Sequence, residues 1–398
     1  MFKSEELYNS PNALARNYSH FKVSERLLLT GHSHQAWPDC GFEGQKQAFL
    51  DAAEFVDDKW ERGFEKAAEV KKGYLGLLGG TGNIALASNT HELLVKFLSA
   101  LPLNKEFNIV TTDGEFHSIR RQLDRLAEEG IQIIKAESSP SMDVVEKLIN
   151  KVNNKTVAVL VSKVFFGTGE IVDDLFPLLE KCEQVGAKLL IDAYHALNII
   201  PFSLKEKKLE RAFVTGGGYK YCQLGEGNGF LRFPEDAELR PVITGWYSEF
   251  GDLSKAKKKG GIQYGKGGDI FAGATYDPTS NYRAAEVFKF FNENHLTTTF
   301  LREISQHQIS VLIEEFDKID ADPEIIRRNT DLELKNIGGF LVLYSKSARQ
   351  ISLQLKKEGV WTDYRGSSLR LGPAPYLSDS QLKDSMMILK KVLKSLTS

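Results

Sequence analysis

Cysteine is scarce in this chain of 398 residues. Three thiols, Cys40, Cys182 and Cys222, are too few and too scattered for a disulfide framework or a zinc site, so no metal is expected and a reduced, cytoplasmic setting is. Nor is there an excess of one charge. Against 51 Lys and Arg stand 53 Asp and Glu, a net charge of -2 that gives no case for a nucleic-acid partner. The lysine clusters at Lys205 to Lys208 and Lys255 to Lys259 are short and read as solvated loop charge. No apolar run approaches the roughly 20 residues needed to span a bilayer, so no membrane partner is expected. The opening MFKSEELYNS has no apolar signal core. Internal repeats and low-complexity segments are missing too. What remains is the balance of an ordinary globular protein, with a length that exceeds one ordinary core and suggests two domains.

From about residue 84 to 233, short apolar runs alternate with helical patterns. The runs are Ile84 to Ser88, Asn108 to Thr112, Ile131 to Ala136, Val157 to Ser162, Lys188 to Asp192, Ala212 to Thr215 and Gly229 to Phe233. Between several of them lie HELLVKFLSAL, SIRRQLDRLAEEG, MDVVEKLINKV and DLFPLLEKCEQVG. That alternation predicts βαβ units and an α/β fold with a mainly parallel sheet covered on both faces.

The C-terminal third reads as an α+β layer. Gly339 to Lys346 and SLRLGPA look like strands, and SARQISLQLKKEG and SQLKDSMMILKKVLKSL like helices. A large domain over residues 46–285 and a smaller α+β domain from 1–45 and 286–398 are expected, joined through the helical pattern around Asn281 to Phe291. The first 45 residues, with few long periodic patterns, are expected to pack against the small domain or a partner subunit.

In parallel sheets ligands gather at the carboxyl ends of the strands, which selects the loops to inspect. After the first run, Asn89 or Thr90 can cap a helix, with Glu92 placed for a capping box; the same helix start could equally cup a phosphate. After the second, Phe116 and His117 precede a helix, and either ring could project over the sheet edge. Asp192 ends an apolar strand, where a carboxylate needs a cation or several donors, and His195 follows three residues later. In TGGGYKYCQLGEGNGFLRF, Lys220 sits among six glycines and two tyrosines. Desolvation would lower its pKa and free the amine as a nucleophile. An anion cup, a flat ring, a buried Asp and an enclosed Lys are the parts pyridoxal phosphate (PLP) requires. With that reading the glycines are expected to give clearance for a flat cofactor.

These segments resemble the class V aminotransferase group of the fold-type I PLP enzymes, and within it kynureninase. DAYHALNIIPFSL followed by GGYKYCQLGEGNGFL is similar to the family's Asp-x-x-His and Tyr-Lys-Tyr pattern. GWYSEF (Gly245 to Phe250), DIFAGAT (Asp269 to Thr275) and LRLGPAPYLSD (Leu369 to Asp379) resemble three further segments in order. The resemblance implies that Lys220 forms the Schiff base and shuttles protons, that Asp192 binds the pyridine nitrogen, and that His195 sits near the ring's phenolic oxygen. Ser88, Asn89, Thr90 and Tyr219 would hold phosphate, and Phe116, or His117 in its place, would stack on the ring. Trp246 and Thr275 resemble residues that reach the neighbouring subunit's phosphate, which implies a homodimer with shared active sites. Arg370 would clamp the carboxylate of an amino-acid substrate. The implied activity is hydrolytic Cβ–Cγ cleavage; transamination or other Cα/Cβ chemistry is the alternative, and a non-catalytic scaffold is disfavoured by the Asp192 and Lys220 pair. The chain departs from the family at GHSHQAWP, where His32, Ser33 and His34 face the expected substrate region, and at Gly273 to Asp277. Desulfuration is not expected, because neither Cys182 nor Cys222 sits where a nucleophilic thiol would be needed.

Overall fold

The computed structural model describes residues 2–252 and 261–397; the Lys255 to Lys259 cluster lies outside them. Its centre is a seven-stranded sheet: β1 (Asn83–Ala87), β2 (Asn108–Thr112), β3 (Gln132–Ala136), β4 (Thr156–Ser162), β5 (Lys188–Asp192), β6 (Phe213–Gly217) and β7 (Gly229–Phe233), in the order β1-β7-β6-β5-β4-β2-β3. The pairs from β6 through β5, β4 and β2 to β3 are parallel. Only β7 is reversed, against both β1 and β6.

The apolar run of β4 shows why the sheet must be covered twice. Successive side chains point to opposite faces. Ala158 and Leu160 pack with Leu93, Phe97, Ile119 and Leu123 from helices Thr90–Ser99 and His117–Glu128. Val159 and Val161 belong to the opposite core with Leu148, Leu179 and Tyr74 from helices Val144–Ile149, Phe176–Val185 and Lys59–Leu78. A continuous hydrophobic strand is the signature of burial on both sides.

Helices Cys40–Phe55 and Thr279–Glu293 cross in close contact, which Gly44 permits: a Cβ there would lie 2.7 Å from the Tyr282 carbonyl oxygen. Toward the C-terminus a four-stranded antiparallel sheet forms from β8 (Arg327–Arg328), β9 (Leu341–Tyr344), β10 (Asp363–Arg365) and β11 (Ser368–Leu371), ordered β10-β11-β9-β8. Helix Ala348–Lys357 covers it. A two-residue turn joins β10 to β11, with Gly366 at φ 55°, a left-handed conformation that glycine adopts at little cost. The N-terminal segment docks here: Leu27–Leu28 pairs in parallel with Val360–Trp361, and Asn12 Nδ2 donates to the Pro375 carbonyl at 2.9 Å. Among the described residues no helix is long and apolar enough to cross a membrane.

Candidate active site

Strands β1, β2, β5 and β6 end at the same edge of the sheet, and the segments that follow them line a cavity of about 310 Å³. Ser88, Asn89 and Thr90 follow β1; Phe116 follows β2; Asp192, Tyr194 and His195 come from the end of β5; Tyr219 and Lys220 follow β6. Because β7 is reversed, its amino end reaches this edge and brings Glu226 and Gly227 into the wall.

Lys220 is the buried centre of the cavity, 5% exposed. Its Nζ lies 2.8 Å from His195 Nε2 and 4.8, 5.3 and 5.6 Å from the ring centroids of Tyr194, Phe116 and Tyr219. Burial pulls the amine down to about 7, against the opposing pull of the Asp192 carboxylate. Burial also holds His195 well below its ordinary value, and the Lys220 charge adds to this. A neutral imidazole therefore faces an amine that loses its proton near neutral pH, an arrangement suited to proton transfer.

Asp192 is pushed upward by burial, offset by the Tyr194 N–H, which donates to its Oδ1 at 2.8 Å, and by Lys220. Across the cavity, Asn89 caps helix Thr90–Ser99, its Oδ1 accepting from the Glu92 N–H at 2.9 Å. First-turn N–H groups of a helix have no partner within it, so this wall offers anion donors beside the Ser88 and Thr90 hydroxyls. Tyr219 is half-buried, and burial raises its phenol, which keeps it a neutral donor. Phe116, not His117, forms part of the wall; His117 is exposed and packs edge-on against Phe166, 5.1 Å between centroids.

Five expected site residues do not line the cavity. His32 is fully buried, its Nε2 2.9 Å from Asp363 Oδ1. Ser33 Oγ donates to the Thr30 carbonyl within a turn. Arg370 is not a free clamp: its Nε donates to Asp363 Oδ1 at 2.8 Å, its Nη2 to Asp363 Oδ2, and its Nη1 to the Phe166 carbonyl at 2.7 Å. Trp246 and Thr275 are exposed and line no part of this chain's cavity.

The glycines before Lys220 also differ from expectation. A Cβ on Gly216 would meet the Phe230 ring at 2.9 Å, on Gly217 the Tyr194 hydroxyl at 2.4 Å, and on Gly218 the Leu224 side chain at 2.6 Å. They make room for the protein's own packing rather than for a ligand. Sequence reasoning missed Tyr194 and Glu226. Tyr194 lies inside the Asp-x-x-His segment, and its position two residues after a strand-ending Asp was a usable signal; Glu226 had none, because its placement depends on the reversal of β7.

No protein-family model matches the chain, and no curated protein sequence matches it significantly. Solved structures do. The cystine C–S lyase C-DES, as a variant with glycine covalently linked to its PLP cofactor, is 14% identical with a TM-score of 0.82, covering 94% of this chain and 98% of that one. The apo cysteine desulfurase from Thermococcus onnurineus NA1 is 16% identical with a TM-score of 0.80, covering 97% and 98%. The cysteine desulfurase CsdA from Escherichia coli is 12% identical with a TM-score of 0.78, covering 99% of both. The chain therefore has the fold-type I architecture of PLP-dependent enzymes.

Proposed function

We propose that this chain is a PLP-dependent enzyme acting on an amino acid, with Lys220 as the covalent attachment point. The observation that carries this reading is the enclosed Lys220 amine, facing a neutral His195 on one side and sharing its cavity with Asp192 and a capped helix start. The donor set fits the group. Ser88, Asn89, Thr90 and Tyr219 would hold its phosphate, Phe116 its ring face, and Asp192 its pyridine nitrogen; burial already keeps the Asp192 carboxyl in need of a positive partner. When bound, PLP supplies an electron sink for negative charge at the substrate Cα. Lys220 would remove the Cα proton, and His195 would hold the amine in line through its Nε2.

The specific reaction proposed is kynureninase-like hydrolytic Cβ–Cγ cleavage, with transamination or C–S chemistry as the second reading. The similar solved structures favour C–S cleavage as that second reading. The thiols speak against a cysteine nucleophile. Cys182 and Cys222 are buried, none of the three cysteines lines the cavity, and burial pushes Cys40 and Cys182 up to about 12. Incubation of the cofactor-loaded protein with kynurenine should release anthranilate and alanine. Cysteine persulfide with pyruvate from cystine, or a new amino acid from a keto-acid acceptor, would instead establish the alternatives.

Within this reading, residues 46–285 are the cofactor domain and 1–45 with 286–398 the small domain. A homodimer is part of the proposal. Trp246 and Phe250 are both more than 40% exposed and pack ring to ring at 5.5 Å, so they offer an apolar surface to a partner. Trp246 and Thr275 would then serve the partner's phosphate site. Light scattering of the eluting protein should give twice the 44.6 kDa chain mass.

A further inference from the structure

The turn that carries Phe116 from β2 into helix His117–Glu128 is held from both sides. On one side the Asp113 N–H donates to the Ala136 carbonyl at 3.0 Å, and Asp113 Oδ1 accepts from the Ser138 N–H at 2.8 Å, which fastens the turn to the end of β3. On the other side Glu115, only 2% exposed, reaches the end of β4. Its Oε1 accepts from the Thr112 hydroxyl at 2.6 Å and from the Ser162 N–H at 3.2 Å, and its Oε2 from the Ser162 hydroxyl at 2.6 Å. The Thr112 hydroxyl oxygen in turn accepts from the Gly114 N–H at 3.2 Å. Between the two anchors the backbone lies close against its neighbours: a Cβ on Gly114 would meet the Ser138 side chain at 2.7 Å and the Phe165 ring at 3.0 Å.

The partners of this carboxyl group are two hydroxyls and an amide rather than a cation, and a buried carboxyl so placed depends on every one of them. What it joins lies on either side. Next in the chain is Phe116, which lines the cavity with its ring centroid 5.3 Å from Lys220 Nζ and stands edge-on to Phe166 of the segment after β4. Within the sheet, Ser162 is the register partner of Asp192, and the Lys163 N–H that follows it donates to the Asp192 carbonyl at 2.9 Å. One side chain therefore ties the segment bearing the aromatic wall to the strand end beside Asp192.

We propose that Glu115 is a positioning residue of the active site: it clamps the turn after β2 to the end of β4, so that the Phe116 ring and the Asp192 carboxyl keep a fixed spacing in the cavity. This rests on the PLP reading above. Glu115 does not line the cavity itself and acts through Phe116.

The test is a double-mutant cycle on cofactor affinity, with PLP dissociation constants read by titration of the visible absorption band. Glu115→Ala should weaken PLP binding about tenfold, whereas in a Phe116→Leu background the same substitution should change it by less than about twofold, because no ring remains to be placed. Glu115→Gln keeps the shape and one acceptor oxygen, and should hold affinity within about twofold of the native protein. A merely structural defect would lower affinity by the same factor in both backgrounds, and that outcome overturns the proposal, as does a Glu115→Ala protein that binds PLP as the native one does. If Glu115→Ala fails to fold, Ser162→Ala takes its place in the cycle. It removes one of the three bonds, so a loss of about threefold that vanishes with Phe116→Leu supports the proposal, and equal losses in both backgrounds overturn it. Absence of any visible band in the native protein with added PLP overturns the PLP reading itself, and this inference with it.

Discussion

Lys220 Nζ and His195 Nε2 stand 2.8 Å apart in a buried cavity where both groups are driven toward their neutral forms. The neutral imidazole accepts from the amine rather than competing for its proton, so it fixes the direction in which Lys220 would meet the substrate Cα. His195→Gln should therefore keep the covalent cofactor while slowing proton traffic at the substrate Cα. Exchange of the Cα hydrogen of L-alanine with deuterium, followed by NMR, should fall about a hundredfold, within the range for loss of a general acid–base group.

The Lys220 amine is depressed to about 7 by burial, with Asp192 opposing. Below that pH the amine is protonated and cannot attack; above it the nucleophile is free. Cofactor capture by the apo protein should rise as pH increases through about 7 and then level off. Asp192→Asn removes the carboxylate that holds the lysine pKa up, so the midpoint should move to lower pH even as cofactor affinity falls. Stopped-flow absorbance across pH 5.5 to 9 checks both directions.

Much of this arrangement is legible in the sequence, for a physical reason. The inner strand β4 announces itself because burial on both faces demands an unbroken apolar run, the half-exposed edge strands β1 and β3 by short apolar stretches between helical patterns, and Asp192, Phe116 and Lys220 stand out as polar or aromatic residues just after strand ends. Two of the four C-terminal strands and the two last helices are legible by the same periodicities, whereas Arg327–Arg328 and Asp363–Arg365 are too short to show a pattern. What was hidden depended on contacts between distant segments. Nothing near Arg370 in the chain says that Asp363 fills its fork, nor that His32, 331 residues before Asp363, lies buried behind it. The glycines before Lys220 misled because local sequence cannot tell whether missing side-chain volume admits a ligand or the ring of a neighbouring strand.

Glu115 gives a stability prediction. It is buried between strands, its Oε1 accepting from Thr112 Oγ1 and its Oε2 from Ser162 Oγ, both at 2.6 Å. Burial raises it to about 7 despite these bonds, and the Asp192 charge adds to the rise. The folded state then holds a proton that the unfolded chain has lost between about pH 4.5 and 7. The sign follows: this group's contribution is fully present below about 4.5 and disappears as pH rises toward 7. Glu115→Gln should flatten the slope of unfolding free energy against pH in that window, an effect of up to about 3 kcal/mol. Denaturant melts at pH 5 and 7 measure it.

Gly372 lies against the cluster of His32, Asp363 and Arg370. A Cβ there would sit 2.2 Å from His32 Nδ1 and 2.7 Å from the His32 backbone nitrogen. Neither atom can retreat easily, since the ring is packed on Phe340 at 4.6 Å and held by Asp363. Gly372→Ala should cost about 1 to 3 kcal/mol by overpacking, visible as a lowered Tm.

The central claim is that Lys220 carries a covalently bound PLP. The most direct measurement is the visible absorption spectrum of the purified protein with added PLP, followed by borohydride reduction and peptide mass mapping. A band that borohydride abolishes, with the added cofactor mass on the peptide containing Lys220 and no such band in Lys220→Ala, is the expected result. A band that survives in Lys220→Ala, or a reduced adduct on another lysine, would contradict it.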